Sequence, residues 1–128
     1  MSQFLIVGLG GFMGAVARYK LGGFVLHHTV ENKFPVSTLV VNVLGCCIAG
    51  LLTGLIESRD FFSPLTRLFL FTGFLGGFTT FSAFGLETFY LIQRHEFLLA
   101  GLNAFLSVSL GLFALWLGIR MGVITLAK

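Results

Sequence analysis

The sequence predicts an all-α integral membrane protein with four transmembrane helices, the third broken in its middle, in a single domain covering residues 1–128. Three observations carry that prediction. Hydrophobic residues make up 56% of the 128-residue chain and charged residues only 10%, and a soluble protein this small has a large surface to cover with polar groups. The apolar residues fall into four long runs, at about residues 4–24, 36–56, 64–92 and 97–126, and a spanning helix needs ~20 apolar residues. The third run carries Gly73, Gly76, Gly77, Thr79, Thr80 and Ser82 at its centre. Glycine weakens a helix interior by ~1 kcal/mol and hydroxyl side chains redirect backbone hydrogen bonds.

The first run opens after Met1-Ser2-Gln3, which lacks the basic region of a signal peptide, so it is read as a permanent span. Gly10 and Gly14 form a GxxxG pair, with Gly8 and Gly11 nearby, a spacing that lets helices approach closely in lipid. The same VGLGGFMG stretch bears a superficial likeness to a dinucleotide-binding turn, but Met13 stands where a glycine is required and no βαβ context follows. Arg18, Tyr19 and Lys20 come next, and long basic side chains snorkel towards the interface. His27 and His28 begin a polar connection that holds Glu31, Asn32 and Lys33.

In the second run Thr38 and Asn42 are four apart and share a helix face. An asparagine within a span must find partners, as interhelical glue or as a pore-lining donor. Gly50 and Gly54 make a second GxxxG pair, and Cys46 and Cys47 are adjacent, poorly placed to bridge each other, and read as small packing residues. The residues Glu57, Ser58, Arg59, Asp60 and Pro64 mark the second connection.

The third run reads as helix, break near residues 76–80, helix. Non-helical backbone at membrane depth persists only when packed in protein or lining a polar cavity, so a break points to a site. A half-helix N-terminus favours an anion and freed carbonyls favour a cation. Phe81 and Phe84 follow, three apart; an aromatic ring is positive at its edge and can meet an anion there, although packing is the plainer use of two rings among sixteen phenylalanines. Glu87 is the acidic residue deepest in an apolar run. It is either a functional carboxylate or a near-interface residue with an arginine partner. In the fourth run Asn103, Ser107 and Gly111 recur every four residues as one small, partly polar stripe, and Arg120 is placed near the membrane boundary.

With four spans, Arg18, Lys20, Lys33 and Arg94 fall on one side and Arg59, Arg67, Arg120 and Lys128 on the other. The positive-inside rule therefore sets no orientation, and two oppositely inserted copies can pair as an antiparallel dimer with two-fold symmetry in the membrane plane. The net charge of +3 has no basic run or face that would fit nucleic acid. No His/Cys/Asp/Glu cluster has metal-ligand spacing, and no nucleophile–base constellation suggests an enzyme. A proton-coupled small-solute or anion transporter and a non-transporting membrane subunit are two alternatives that differ in class.

The run GFLGGFTTFSAFGLE at residues 73–87, with Asn42 in TLVVN, an early glycine-rich span ending in Arg18, four spans and balanced charges, resembles the Fluc-type (CrcB-like) fluoride channel family. The stretch from Gly76 to Phe84 is the specific part. The resemblance implies an antiparallel, dual-topology homodimer in the bacterial plasma (inner) membrane, with two pores that let cytoplasmic fluoride leave passively and lower its toxicity. It implies a structural Na⁺ at the dimer centre, held by backbone carbonyls at Gly76 and Thr79; hard cations prefer oxygen ligands. It implies that Phe81 and Phe84 are contributed across the dimer to the pores, that Asn42 and Ser107 line them, and that Thr38, Thr80, Ser82 and Glu87 lie near the path. Arg18 matches the family's first-span arginine. Gly111 stands where homologues carry a serine, so a hydroxyl on that stretch of the pore is missing, and Asn103 is a position where other residue types occur.

Overall fold

The computed structural model describes residues 2–59 and 62–126; Asp60 and Lys128, assigned above to the second connection and the C-terminus, lie outside them. Every regular element among the described residues is helical: α1 (Gln3–His28), α2 (Val36–Arg59), α3 (64–78), α4 (Phe81–Gln93) and α5 (Phe97–Leu126). Four spans long and apolar enough to cross a membrane result, since α3 and α4 together make Pro64–Gln93. The chain is an integral membrane protein. Phe12, Phe105, Leu112 and Trp116 are among the many large apolar side chains left exposed on the outer helix faces, where lipid rather than water is the compatible neighbour.

The third span is built in pieces. Ser63 caps its start, accepting a hydrogen bond from the Thr66 N–H at 3.2 Å, with Pro64 in the first turn, where proline's missing N–H costs nothing. After one α-helical turn, Leu68–Leu75 winds as a π-helix, and Gly76–Phe78 closes α3. The sequence signalled no such widening. The glycines do not themselves break the helix: Gly76 keeps helical angles, φ −61° and ψ −37°. The chain leaves the helix at Thr79 (φ −82°, ψ 155°) and Thr80 (φ −146°, ψ 111°). Both are β-branched, a side-chain type that favours extended backbone. Thr80 then caps α4 by accepting from the Ala83 N–H.

The glycines serve instead as close-approach surfaces. Gly10 and Gly14 of α1 lie against the backbone of α3 around Phe69 and Phe74, and a Cβ on Gly73 would sit 3.0 Å from the Gly10 Cα. Gly77 in turn meets the Gly11 backbone. The second crossing joins α2 to α5: a Cβ on Gly50 or Gly54 would strike the Leu115 or Ile119 carbonyl, and one on Gly118 or Gly122 would strike the backbone at Cys47 or Leu51. Two GxxxG surfaces therefore meet GxxxG partners, Gly73/Gly77 and Gly118/Gly122, whose pairing role the sequence reading did not assign. Because lipid tails are as apolar as leucine, helix association here rests on close packing of this kind.

A turn at Arg94–Glu96 reverses the chain between α4 and α5, with His95 at φ 60° and the Glu96 N–H returning to the Leu91 carbonyl at 2.9 Å. The Lys33 ammonium reaches the Glu96 carboxylate at 2.8 Å, so the first and third connections meet at one end of the bundle.

Replacing Gly14 or Gly50 by leucine is expected to lose the folded protein or lower its stability by more than the ~1–3 kcal/mol typical of overpacking. Gly8→Ala and Gly23→Ala, whose Cβ atoms meet open space, are expected to be neutral or mildly stabilising. Thermal unfolding in detergent, followed by size-exclusion chromatography, compares the four.

Candidate functional site

The break creates a hydrogen-bonding problem and α2 answers it. The Thr80 N–H donates to Asn42 Oδ1 at 2.8 Å, and Asn42 Nδ2 donates to the Thr80 carbonyl at 2.9 Å. One amide side chain thus replaces both partners that a continuous helix or sheet would supply to that residue. Asn42, read from the sequence as either glue or pore donor, is a splint for the broken backbone. It retains one amide hydrogen not given to Thr80.

Asn42 also lines a cavity of about 290 Å³ together with Cys46, Thr79, Thr80, Phe81, Phe84, Ser107 and Val108. Six residues singled out in the sequence, Asn42, Thr79, Thr80, Phe81, Phe84 and Ser107, are brought together here from α2, the break, α4 and α5. The Phe81 and Phe84 rings lie 5.4 Å apart at an interplanar angle of 38°. Phe84 is half-buried, whereas Phe81 projects from the chain and is 83% exposed. The Ser107 hydroxyl has no hydrogen-bond partner among the described residues; Ser109 on the same helix donates to the Phe105 carbonyl at 2.6 Å. Cys46 and Val108 are lining residues that sequence reading did not assign to the site, because a cysteine and a valine in a span carry no signal separable from packing.

One helical turn away, the Thr38 hydroxyl donates to Glu87 Oε1 at 2.6 Å. Glu87 Oε2 is buried without a partner. No arginine pairs with Glu87 among the described residues. The carboxylate borders a second, smaller cavity of about 140 Å³ whose other walls are Lys33, Pro35, Tyr90, Leu91 and Arg94. Because Thr38 and Asn42 are successive turns of α2, and Phe84 and Glu87 successive turns of α4, the Thr38–Glu87 pair lies about one turn from the break, towards the bundle end. Ser82 is exposed and its hydroxyl is 3.3 Å from that of Thr80, outside the walls of both cavities.

Gly76 and Thr79 border a third concavity of about 320 Å³ with Gly45, Cys46, Ala49, Phe71, Leu75 and Leu115. Their carbonyls lie where α3 ends, and the Thr80 N–H that would bond to the Gly76 carbonyl in a continuing helix is held by Asn42. Arg18 is half-buried in α1 and lines none of the three cavities. The fourth-span stripe divides three ways: Asn103 is buried at 2% exposure and bonds to Thr88, Ser107 opens to the cavity, and a Cβ at Gly111 would meet Cys46 Sγ at 3.5 Å.

A family model described as "CrcB-like protein, Camphor Resistance (CrcB)" matches residues 5–119. A protein of Methylobacillus flagellatus named fluoride-specific ion channel FluC is 43% identical over 126 residues, 98% of each chain. Proteins of the same name from Flavobacterium psychrophilum and Desulforapulum autotrophicum are 43% and 46% identical, covering 93% and 94% of this chain and 95% of each relative.

Asn42→Leu removes both bonds to Thr80 and leaves its part-buried N–H and C=O without that partner, at up to ~1–3 kcal/mol each. Asn42→Asp keeps an acceptor for the Thr80 N–H and is expected to be the more stable of the two in thermal unfolding of the purified protein.

Proposed function

The chain belongs to the CrcB-like family, and from that premise we propose that it is a fluoride-selective channel through which the anion leaves the cytoplasm passively, relieving its toxicity. It is a channel protein and not an enzyme, and in a bacterium its place is the inner membrane. The observation that carries the reading is the cavity at the helix break, where Asn42, Ser107, Phe81 and Phe84 converge in a chain with these relatives.

Fluoride is small and strongly hydrated, so a narrow path must replace its water. The remaining Asn42 amide hydrogen, the unengaged Ser107 hydroxyl and the positive edges of the two phenylalanine rings offer partial charges that do this without a full positive charge to trap the ion. The N-terminus of α4 adds the positive end of a helix dipole. Thr80 shapes the wall, and Thr38 bonds to Glu87 one turn further on, where Glu87 borders the smaller cavity with Lys33 and Arg94. Ser82 borders the break on the exposed side. A larger chloride is penalised by the same narrowness.

The functional unit in this reading is an antiparallel homodimer with two pores. Three features support it: the four-against-four balance of basic residues, the outward Phe81 ring, and the exposed Gly76 at the end of α3. A Na⁺ ion at the dimer centre fits the oxygen-only character of the Gly76 and Thr79 carbonyls. Two such carbonyls are too few for a sodium shell, so a second copy would supply the rest. The ion would tie the two breaks together electrostatically.

Proton-coupled transport is a second reading, favoured by one observation, the buried Glu87 Oε2 with no partner. Fluoride-driven proton movement in fixed stoichiometry would support it; conduction without obligatory coupling would exclude it.

Protein reconstituted in fluoride-loaded vesicles, with a potassium ionophore and an external fluoride electrode, is expected to release fluoride fast and chloride little. Absence of release from folded dimers in Na⁺ removes the channel reading. Phe81→Ile and Phe84→Ile are expected to slow release by an order of magnitude or more while leaving a dimer. Asn42→Asp is expected to slow it through the added negative charge.

A further inference from the structure

Asn103 is the one buried polar side chain among the described residues, and its 2% exposure places a primary amide inside a membrane-spanning helix pair. Asn103 Nδ2 donates to Thr88 Oγ1 at 2.9 Å, and the Thr88 hydroxyl donates to the Phe84 carbonyl at 2.7 Å. Among the described residues this chain is the only side-chain hydrogen bond joining α5 to α4. Its direction is fixed, because the threonine proton is committed to Phe84 and only the oxygen lone pairs can receive the amide.

The two helices run antiparallel, so the register of this pair sets the next. One turn along α5 from Asn103 is Ser107, and one turn back along α4 from Thr88 is Phe84. A turn is ~5.4 Å. The bonded pair therefore sits one turn from the pair that walls the cavity at the break. We propose that Asn103 is a positioning residue for anion permeation: through Thr88 it holds the Phe84 turn of α4 in register with Ser107 and so sets the width between ring edge and hydroxyl. This rests on the channel reading above.

A simple stability role makes a different prediction. Replacing both members of a buried hydrogen-bonded pair by apolar groups of similar shape is often nearly neutral for stability. A positioning role makes such a pair defective in flux although well folded, because misplacement of about 1 Å can cost 10²-fold in a process that depends on geometry.

The test uses Asn103→Leu, Thr88→Val, the double variant and Thr88→Ser, each as the full chain reconstituted in fluoride- or chloride-loaded vesicles. Asn103→Leu and Thr88→Val are each expected to lower fluoride release about tenfold or more and to reduce the preference for fluoride over chloride. The double variant is expected to be no worse than either single, since both act through one chain of bonds. Thr88→Ser, which keeps the hydroxyl, is expected to restore release and selectivity. Wild-type release and selectivity in both single variants, or a double variant equal to the product of the singles, would overturn the proposal.

Hydrogen exchange gives a readout independent of transport. In Asn103→Leu, amides of residues 81–88 are expected to exchange at least several-fold faster, with the Gly118–Gly122 crossing unchanged. Equal protection at 81–88 overturns the positioning role. If the unaltered chain itself passes no fluoride, the channel reading fails on its own, and the exchange result still decides whether Asn103 sets the register. Should Asn103→Leu fail to fold, Thr88→Val against Thr88→Ser decides by the same two measurements.

Discussion

A residue whose backbone leaves the helix inside a membrane must find its hydrogen-bond partners in the protein, and the rest of this structure depends on how that requirement is met at Thr80. The Asn42 side chain meets it by supplying acceptor and donor at once. A primary amide is the neutral side-chain group that can face a peptide unit with both. With Thr80 held, α3 can end and α4 can begin in mid-membrane. The first turn of α4, which carries Phe81 and Phe84, is thereby delivered to the same depth as Ser107 on α5. The carbonyls at the end of α3 and the amides at the start of α4 come close in sequence with opposite polarity. One break thus presents cation-preferring and anion-preferring surfaces on neighbouring sides.

Such a break needs a stiff surround, and the two glycine crossings provide it. Leu115 and Ile119 carbonyls lie so close to Gly50 and Gly54 that no side chain fits between. The same holds where Gly10 and Gly14 meet α3. With contact made backbone to backbone, sliding or rotation of either helix is opposed by hard sterics rather than by adaptable side chains. The fold therefore sets the first half of the third span against α1 and the α2–α5 pair against each other. The later half, α4, is tied by side-chain hydrogen bonds at Thr80, Glu87 and Thr88.

How far the sequence revealed this varies with the kind of signal. Four spans were legible because hydrophobic length is an integrated property of ~20 residues. The break was legible in place and partly in cause: the glycines Gly73, Gly76 and Gly77 and the hydroxyl residues Thr79, Thr80 and Ser82 both read as breaking the helix, yet it continues through the glycines and parts at the two threonines. A glycine serves equally as a flexible backbone point and as a contact surface, and nothing in one chain's sequence separates the two uses. Gly73/Gly77 and Gly118/Gly122 were missed as crossing surfaces for that reason. The π-helical stretch Leu68–Leu75 left no trace, since its residues are ordinary span residues without proline. The family-like run singled out Asn42, Thr80, Phe81, Phe84 and Ser107 but assigned the two phenylalanines across a dimer, so their meeting with Asn42 and Ser107 within one chain, like the pairing of Asn42 with Thr80 and of Asn103 with Thr88, required coordinates, because periodicity gives a helix face but not what faces it.

The splint also fixes the orientation of the Asn42 amide. An asparagine amide has a negative end and a positive end, and free rotation would let it offer either to a passing ion. Here the Thr80 N–H can only meet Oδ1 and the Thr80 carbonyl can only meet Nδ2, so the dipole has one orientation. The oxygen that would repel an anion is engaged by the backbone, and the hydrogen left over is a donor. On the channel reading proposed above, the same bonds that make the break tolerable in a membrane leave a single neutral N–H, rather than a cation, for an anion to meet. For a strongly hydrated ion that must enter and also leave, a fixed weak donor beside ring edges and one hydroxyl suits passage better than a charged group that would hold it.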